Sequence, residues 1–229
     1  MRRVEKVVVP DGEFDLHVWS RGEAGPGVLL LQEIFGVGDY MEAVAEDLVA
    51  LGYVVGAPDM YWRIDPGWTT EHNEEAVSKG MSMVSQFDWD TGVADAVAAL
   101  STLRGLPEVG KVGLLGFCFG GSLAFQIAAN TEVDAMVSFY GSSVPGAVDQ
   151  MDAVRAPSQF HFGGSDPFIP REDVAKVERA VAGRDNLEIH VQEDGGHAFH
   201  NRKAPMFHQP EPAERAWRLT EEFLTRTLS

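Results

Sequence analysis

Short apolar runs alternate with amphipathic segments along most of this chain, and that alternation constrains the fold more than any other feature. The apolar runs are bounded by glycine or polar residues, which is typical of strands buried on both faces. These runs cover residues 27–36, 53–62, 111–117, 133–141, 157–164 and 187–195. Helical spacing is found in residues 39–52, 90–105, 119–130, 170–183 and 211–228. The alternation predicts an α/β fold with a mainly parallel central sheet and helices on both faces.

Two further segments complete the pattern. Residues 4–22 alternate apolar and polar positions around a Pro-Asp-Gly turn, which predicts a β-hairpin. Residues 63–86 are polar and irregular, and we expect short helices there. No linker rich in proline, glycine, serine or charge divides the 229 residues. We therefore expect a single domain over residues 1–229 with one large core.

Charge and cysteine content argue against several functions. The formal net charge of −17 repels phosphate, so neither nucleic acid nor an anionic membrane surface is an expected partner. The chain has one cysteine, which rules out an intrachain disulfide and a zinc–thiolate cage and fits a reducing compartment. No signal-peptide pattern or membrane-length apolar stretch is found. We expect a cytoplasmic protein, either a monomer or a small homo-oligomer.

The single cysteine, Cys118, lies between a predicted strand and a predicted helix. Its neighbours form the pattern Gly116-Phe117-Cys118-Phe119-Gly120, a cysteine version of the G-x-S-x-G nucleophile elbow. A nucleophile at such a turn has a strained backbone, and glycine two positions to either side removes Cβ atoms that would clash. The N-terminus of the following helix favours a thiolate and a developing oxyanion. An isolated cysteine, by contrast, is usually a buried structural residue.

The elbow pattern requires an acid and then a histidine, each placed after a later strand. Asp166 follows the strand predicted over residues 157–164, and His197 follows the run 187–195. His197 can accept the thiol proton and later protonate the leaving group, while Asp166 can hold the histidine in one tautomer. An ordinary thiol has a pKa of about 8.5 and needs such help at neutral pH. The other six histidines show no convincing metal-ligand spacing, so no metal site is predicted.

Five stretches carry a resemblance to one protein family. They are QEIFG at 32–36, APDMY at 57–61, KVGLLGFCFGG at 111–121, GGSDPFIP at 163–170 and GGHAF at 195–199. On these motifs the chain resembles the dienelactone hydrolase (carboxymethylenebutenolidase) family of α/β-hydrolases. The resemblance implies an α/β-hydrolase fold and a hydrolase that needs neither a metal nor an organic cofactor.

The resemblance also implies roles for individual residues. The residues that would form the catalytic triad are Cys118, Asp166 and His197. Glu33 would contact the thiol and control its ionisation as substrate binds, although its position alone is equally compatible with a surface carboxylate. The backbone amides of Ile34 and Phe119 would form the oxyanion hole.

Substrate recognition departs from the family pattern. Family members that act on dienelactone use two arginines to hold its carboxylate. An ungapped alignment places Val77 at the first of these positions and Asn201 at the second, with Met81 where a nearby tyrosine is expected. Lys79 or Arg202 could compensate, although each could equally be a surface charge. The three catalytic groups are therefore expected to be complete, whereas the groups that recognise a carboxylate are not.

These features favour a hydrolase of lactones or small activated esters that acts through a thioacyl-enzyme intermediate. A thioesterase or another acyl-transfer enzyme could use the same three side chains. A catalytically silent binding protein on the same scaffold is the remaining alternative, although such a protein would have no need to keep all three roles. The expected partner is a small-molecule ester or lactone.

Overall fold

The computed structural model describes residues 1–229, and its strands form one eight-stranded sheet. The strands are β1 (Arg2–Val9), β2 (Gly12–Trp19), β3 (Gly25–Leu31), β4 (Val54–Pro58), β5 (Val109–Phe117), β6 (Ala135–Phe139), β7 (Ser158–Gly163) and β8 (Leu187–Gln192). The α-helices are α1 (Asp39–Ala50), α2 (Glu74–Gln86), α3 (Trp89–Arg104), α4 (Phe119–Asn130), α5 (Arg171–Val181) and α6 (Pro210–Leu228). A 3-10 segment covers Val144–Ala153.

The sheet is mainly parallel, as the alternation of strands and helices predicts. Its strand order is β1-β2-β4-β3-β5-β6-β7-β8. The β1–β2 and β2–β4 pairs are antiparallel, and every other neighbouring pair runs parallel. All residues of β4, β6 and β7 are buried. Because successive side chains of a strand point to opposite faces, this burial means that both faces of the sheet are covered.

Several sequence-based boundaries are wrong. The run 53–62 is a strand only over Val54–Pro58, and the run 187–195 is a strand only as far as Gln192. Residues 63–86 do not form only short helices, because their last 13 residues form the regular helix α2. Asn73 caps this helix by accepting the backbone N–H of Ala76 at 2.9 Å. Only Ala76, Gly80 and Met83 of this helix are buried, so few large apolar side chains mark it in the sequence. The apolar run 27–36 is a strand only as far as Leu31, and Gln32 begins a loop.

The carboxyl ends of the parallel strands lie at one edge of the sheet, where α/β proteins gather their ligand sites. Five polar side chains follow strand ends there: Glu33 after β3, Cys118 after β5, Tyr140 after β6, Asp166 after β7 and His197 after β8. None of the six helices is long and apolar enough to cross a bilayer.

Candidate active site

The turn between β5 and α4 holds Cys118 in a strained conformation, with φ 52° and ψ −111°. Its backbone N–H donates to the carbonyl of Phe139 at 2.9 Å, which ties the turn to β6. A Cβ at Gly116 would lie 2.0 Å from the carbonyl oxygen of Gly120, and a Cβ at Gly120 would lie 2.2 Å from that of Leu31. Glycine is therefore required at both positions, as the elbow pattern predicts.

The structure brings His197 and Asp166 to this turn. Nε2 of His197 lies 3.1 Å from the Cys118 sulfur, and Nδ1 lies 2.7 Å from Oδ2 of Asp166. The other carboxylate oxygen of Asp166 accepts the backbone N–H groups of Phe168 at 2.8 Å and Ile169 at 3.1 Å. The Asp166 side chain is fully buried and that of His197 is 10% exposed. The carboxylate is thus fixed by the backbone and in turn orients the imidazole.

The groups on either side of His197 favour a positively charged imidazole. Burial by itself lowers the pKa of His197, but the adjacent Cys118 sulfur and the Asp166 carboxylate outweigh it and raise the pKa to about 10. A protonated His197 donates from Nδ1 to Asp166 and from Nε2 to the sulfur.

A cavity of about 260 Å³ opens beside Cys118, and its wall is largely apolar. Phe168 covers one side of it, with its ring 5.2 Å from that of His197 and 63% of its surface exposed. No lysine or arginine lines this cavity. The lining residues are Glu33, Ile34, Phe35, Val77, Met81, Cys118, Ser142, Phe168, His197, Ala198 and Phe207.

Two backbone amides are free to bind a developing oxyanion. Ile34 lies in the loop after β3, and its N–H donates to no protein acceptor. Phe119 is the first residue of α4, so its N–H has no partner within the helix. Both residues are those that the family resemblance implies. We propose that these two N–H groups form the oxyanion hole.

The carboxylate of Glu33 is hydrogen-bonded to partners other than the thiol that the resemblance implies. Its carboxylate is buried and accepts hydrogen bonds from the Tyr140 hydroxyl at 3.2 Å and from Nδ2 of Asn201 at 2.6 Å. No hydrogen bond joins it to Cys118, whose sulfur is bonded to His197 instead. Burial raises the pKa of Glu33 to about 7, against the lowering effects of Asn201, His197 and Tyr140.

Two residues around Glu33 were not predicted as parts of the site. Tyr140 directly follows β6, and its position at a strand end was the signal that could have found it. Asn201 was identified from the sequence only as a position that lacks an arginine. Its hydrogen bond to Glu33 spans 168 residues of chain, so no local pattern indicates it.

Lys79 and Arg202 lie outside the cavity, which overturns the expectation that either compensates for a missing arginine. Lys79 is exposed on α2 and forms an i,i+4 ion pair with Glu75 at 2.8 Å. Arg202 pairs with Asp47 at 2.5 Å and donates to the carbonyl of Ala43 at 2.9 Å. Met81 does line the cavity, as does Val77.

The mainly parallel sheet, the β5–α4 elbow and the acid and histidine that follow later strands define an α/β-hydrolase fold. The family model described as the dienelactone hydrolase family matches residues 15–228. The chain belongs to the dienelactone hydrolase family and is a hydrolase of that class.

Individual relatives agree with this assignment. A carboxymethylenebutenolidase from Pseudomonas putida is 35% identical over 176 residues, covering 76% of this chain and 75% of the relative. A carboxymethylenebutenolidase from Pseudomonas sp. (strain P51) is 33% identical over 219 residues, covering 94% and 91%. A solved structure of a dienelactone hydrolase-like promiscuous phosphotriesterase from metagenomic libraries has a TM-score of 0.83 at 20% identity and covers 100% of this chain and 99% of its own. That last likeness concerns the fold alone.

Proposed function

We propose that the chain hydrolyses lactones or small activated esters through a thioacyl intermediate on Cys118. The observation that carries this proposal is the hydrogen-bonded series from the Cys118 sulfur through His197 to Asp166, placed at the wall of a largely apolar cavity. The relatives named carboxymethylenebutenolidase support an ester or lactone as the substrate class.

The geometry accounts for both halves of such a reaction. The sulfur attacks the carbonyl carbon, and the N–H groups of Ile34 and Phe119 stabilise the oxyanion that forms. Collapse of this intermediate breaks the bond to the alkoxide, which takes the proton from Nε2 of His197 and leaves the acyl group on sulfur. Water then gives a proton to His197 and attacks the thioester. Collapse of the second tetrahedral intermediate breaks the carbon–sulfur bond. The product acid leaves and loses its proton to solvent, and the sulfur and His197 return to their starting state.

Trapping the intermediate tests the proposal. Incubation with p-nitrophenyl acetate is expected to give a burst of nitrophenol and protein carrying one acetyl group on Cys118, identified by peptide mass spectrometry. Protein whose thiol is first blocked with iodoacetamide serves as the control and should show neither. Turnover by the blocked protein would show that another group is the nucleophile.

The cavity also predicts a preference for uncharged substrates. A carboxylate bound there would lose hydration without gaining a lysine or arginine partner, because Lys79 and Arg202 are both engaged elsewhere. The His197 imidazolium in the same wall already has both ring nitrogens paired, with the Cys118 sulfur and with Asp166. A neutral ester or lactone has no such cost and gains from burial against Val77, Met81 and Phe168. We expect kcat/KM for a neutral substrate to exceed that for its carboxylate-bearing analogue about tenfold or more, which corresponds to about 1.4 kcal/mol.

Arg202→Ala is the control for this preference. Because Arg202 pairs with Asp47 away from the cavity, the ratio of the two kcat/KM values should be the same in the variant. A wild-type preference for the charged substrate that disappears in the variant would contradict the prediction and would assign carboxylate binding to Arg202.

A further inference from the structure

Asn201 is fully buried, and both hydrogens and the oxygen of its side-chain amide have hydrogen-bond partners. Its Oδ1 accepts the backbone N–H of Lys203 at 3.0 Å, which identifies the other end of the amide as the nitrogen. The two hydrogens of Nδ2 reach Oε2 of Glu33 at 2.6 Å and Nδ1 of His72 at 3.1 Å. The amide therefore has one orientation, with a donor aimed at Glu33.

His72 binds the second hydrogen of the Asn201 side-chain amide. The His72 ring packs against Phe35 with centroids 4.4 Å apart, and its Nε2 lies 3.0 Å from Oδ1 of Asp39. Burial lowers the pKa of His72, so the ring is neutral at neutral pH and Nδ1 can accept a hydrogen from Asn201. The side chain of Asn201 is thus held between a fixed acceptor and the Glu33 carboxylate.

We propose that Asn201 is a positioning residue that holds the Glu33 carboxylate away from Cys118, so that the thiol pairs with His197 before any substrate binds. This inference rests on the proposed role of Cys118 as the nucleophile. Two donors, Asn201 and Tyr140, occupy the carboxylate of Glu33, and the Cys118 sulfur is left to His197. The nucleophile is then available in the free enzyme and requires no charge on the substrate.

Replacing Asn201 is expected to change the protonation state of Glu33. Losing a donor to its carboxylate raises the pKa of Glu33 further, so the carboxyl group takes up a proton at neutral pH. A protonated carboxyl group is an O–H donor in the same cavity wall as Cys118, where it competes with His197 for the sulfur. The titratable side chains that face Glu33 are Tyr40, Cys118, Tyr140 and His197, with His72 behind Asn201.

Alkylation by iodoacetamide tests this without any substrate, because Cys118 is the only cysteine in the chain. We expect Asn201→Ala to react about tenfold more slowly than wild type between about pH 7 and 8. The difference should vanish at about pH 9 and above, where Glu33 is ionised in both proteins. Asn201→Leu keeps most of the side-chain volume and should behave alike, so the test stands if the alanine variant folds poorly. Asn130→Ala, a change of the same kind at an exposed position, should react as wild type does.

A double-mutant cycle separates positioning from a structural role. If Asn201 acts through Glu33, Asn201→Ala should have no effect on alkylation in a Glu33→Ala background. The inference is overturned if the Asn201 variants react at the wild-type rate, or if the slowing persists in that background. A separate measurement tests the proposed function. If wild-type protein that is already alkylated still hydrolyses p-nitrophenyl acetate, Cys118 is not the nucleophile, whatever the alkylation rates of the Asn201 variants.

Discussion

Cys118→Ala is expected to abolish turnover of p-nitrophenyl acetate, with kcat lower by about 10⁴-fold or more. Alanine offers no atom that can form the acyl intermediate, and no other cysteine can take over. The fold should persist, because both side chains place one Cβ at the strained φ of 52° and the native thiol is only half-buried. Steady-state kinetics and a thermal melt by circular dichroism check the two halves of this prediction.

Ser85→Ala is a suitable control for Cys118→Ala. Ser85 is exposed on α2, and its hydroxyl is bonded only to the carbonyl of Ser82 in the same helix. Its removal should leave kcat unchanged. Substantial activity in purified, folded Cys118→Ala protein would refute the assignment of the nucleophile.

Asp166→Asn is expected to lower kcat by about 10⁴-fold with a smaller effect on KM, the cost of the same substitution in a serine triad. The backbone N–H groups of Phe168 and Ile169 already bind Oδ1, so asparagine would keep its oxygen there and turn its NH₂ group toward His197. Nδ1 of His197 would then have to accept a hydrogen, which places the ring proton on Nε2. In that tautomer His197 cannot take the thiol proton.

Asp149→Asn is the control for Asp166→Asn. It makes the same substitution at an exposed aspartate whose side chain makes no hydrogen bond. It should leave both kcat and KM unchanged. An unchanged kcat in Asp166→Asn would reduce Asp166 to a turn-forming residue, and another carboxylate would have to orient His197.

The overall fold and the meeting of Cys118, Asp166 and His197 follow from the sequence. Apolar runs that alternate with amphipathic helices predict a parallel sheet, and the carboxyl ends of its strands lie at one edge. Each of the three side chains lies at or just after a strand end, so a local feature of the chain is enough to place it. The cysteine between paired glycines then predicts the strained turn that the structure contains.

The wall of the cavity and the partner of Glu33 were decided only by the tertiary structure. Arg202 is one residue from Asn201, yet it turns outward to Asp47 while Asn201 turns inward to Glu33. Both pairings join residues more than 150 positions apart in the chain. Strand-end positions are set by the direction of the chain through the sheet, which local periodicity reveals. Side-chain pairings at such separations depend on how the loops pack over the sheet, so only the three-dimensional structure shows that Glu33 is held by Asn201 and not by the thiol.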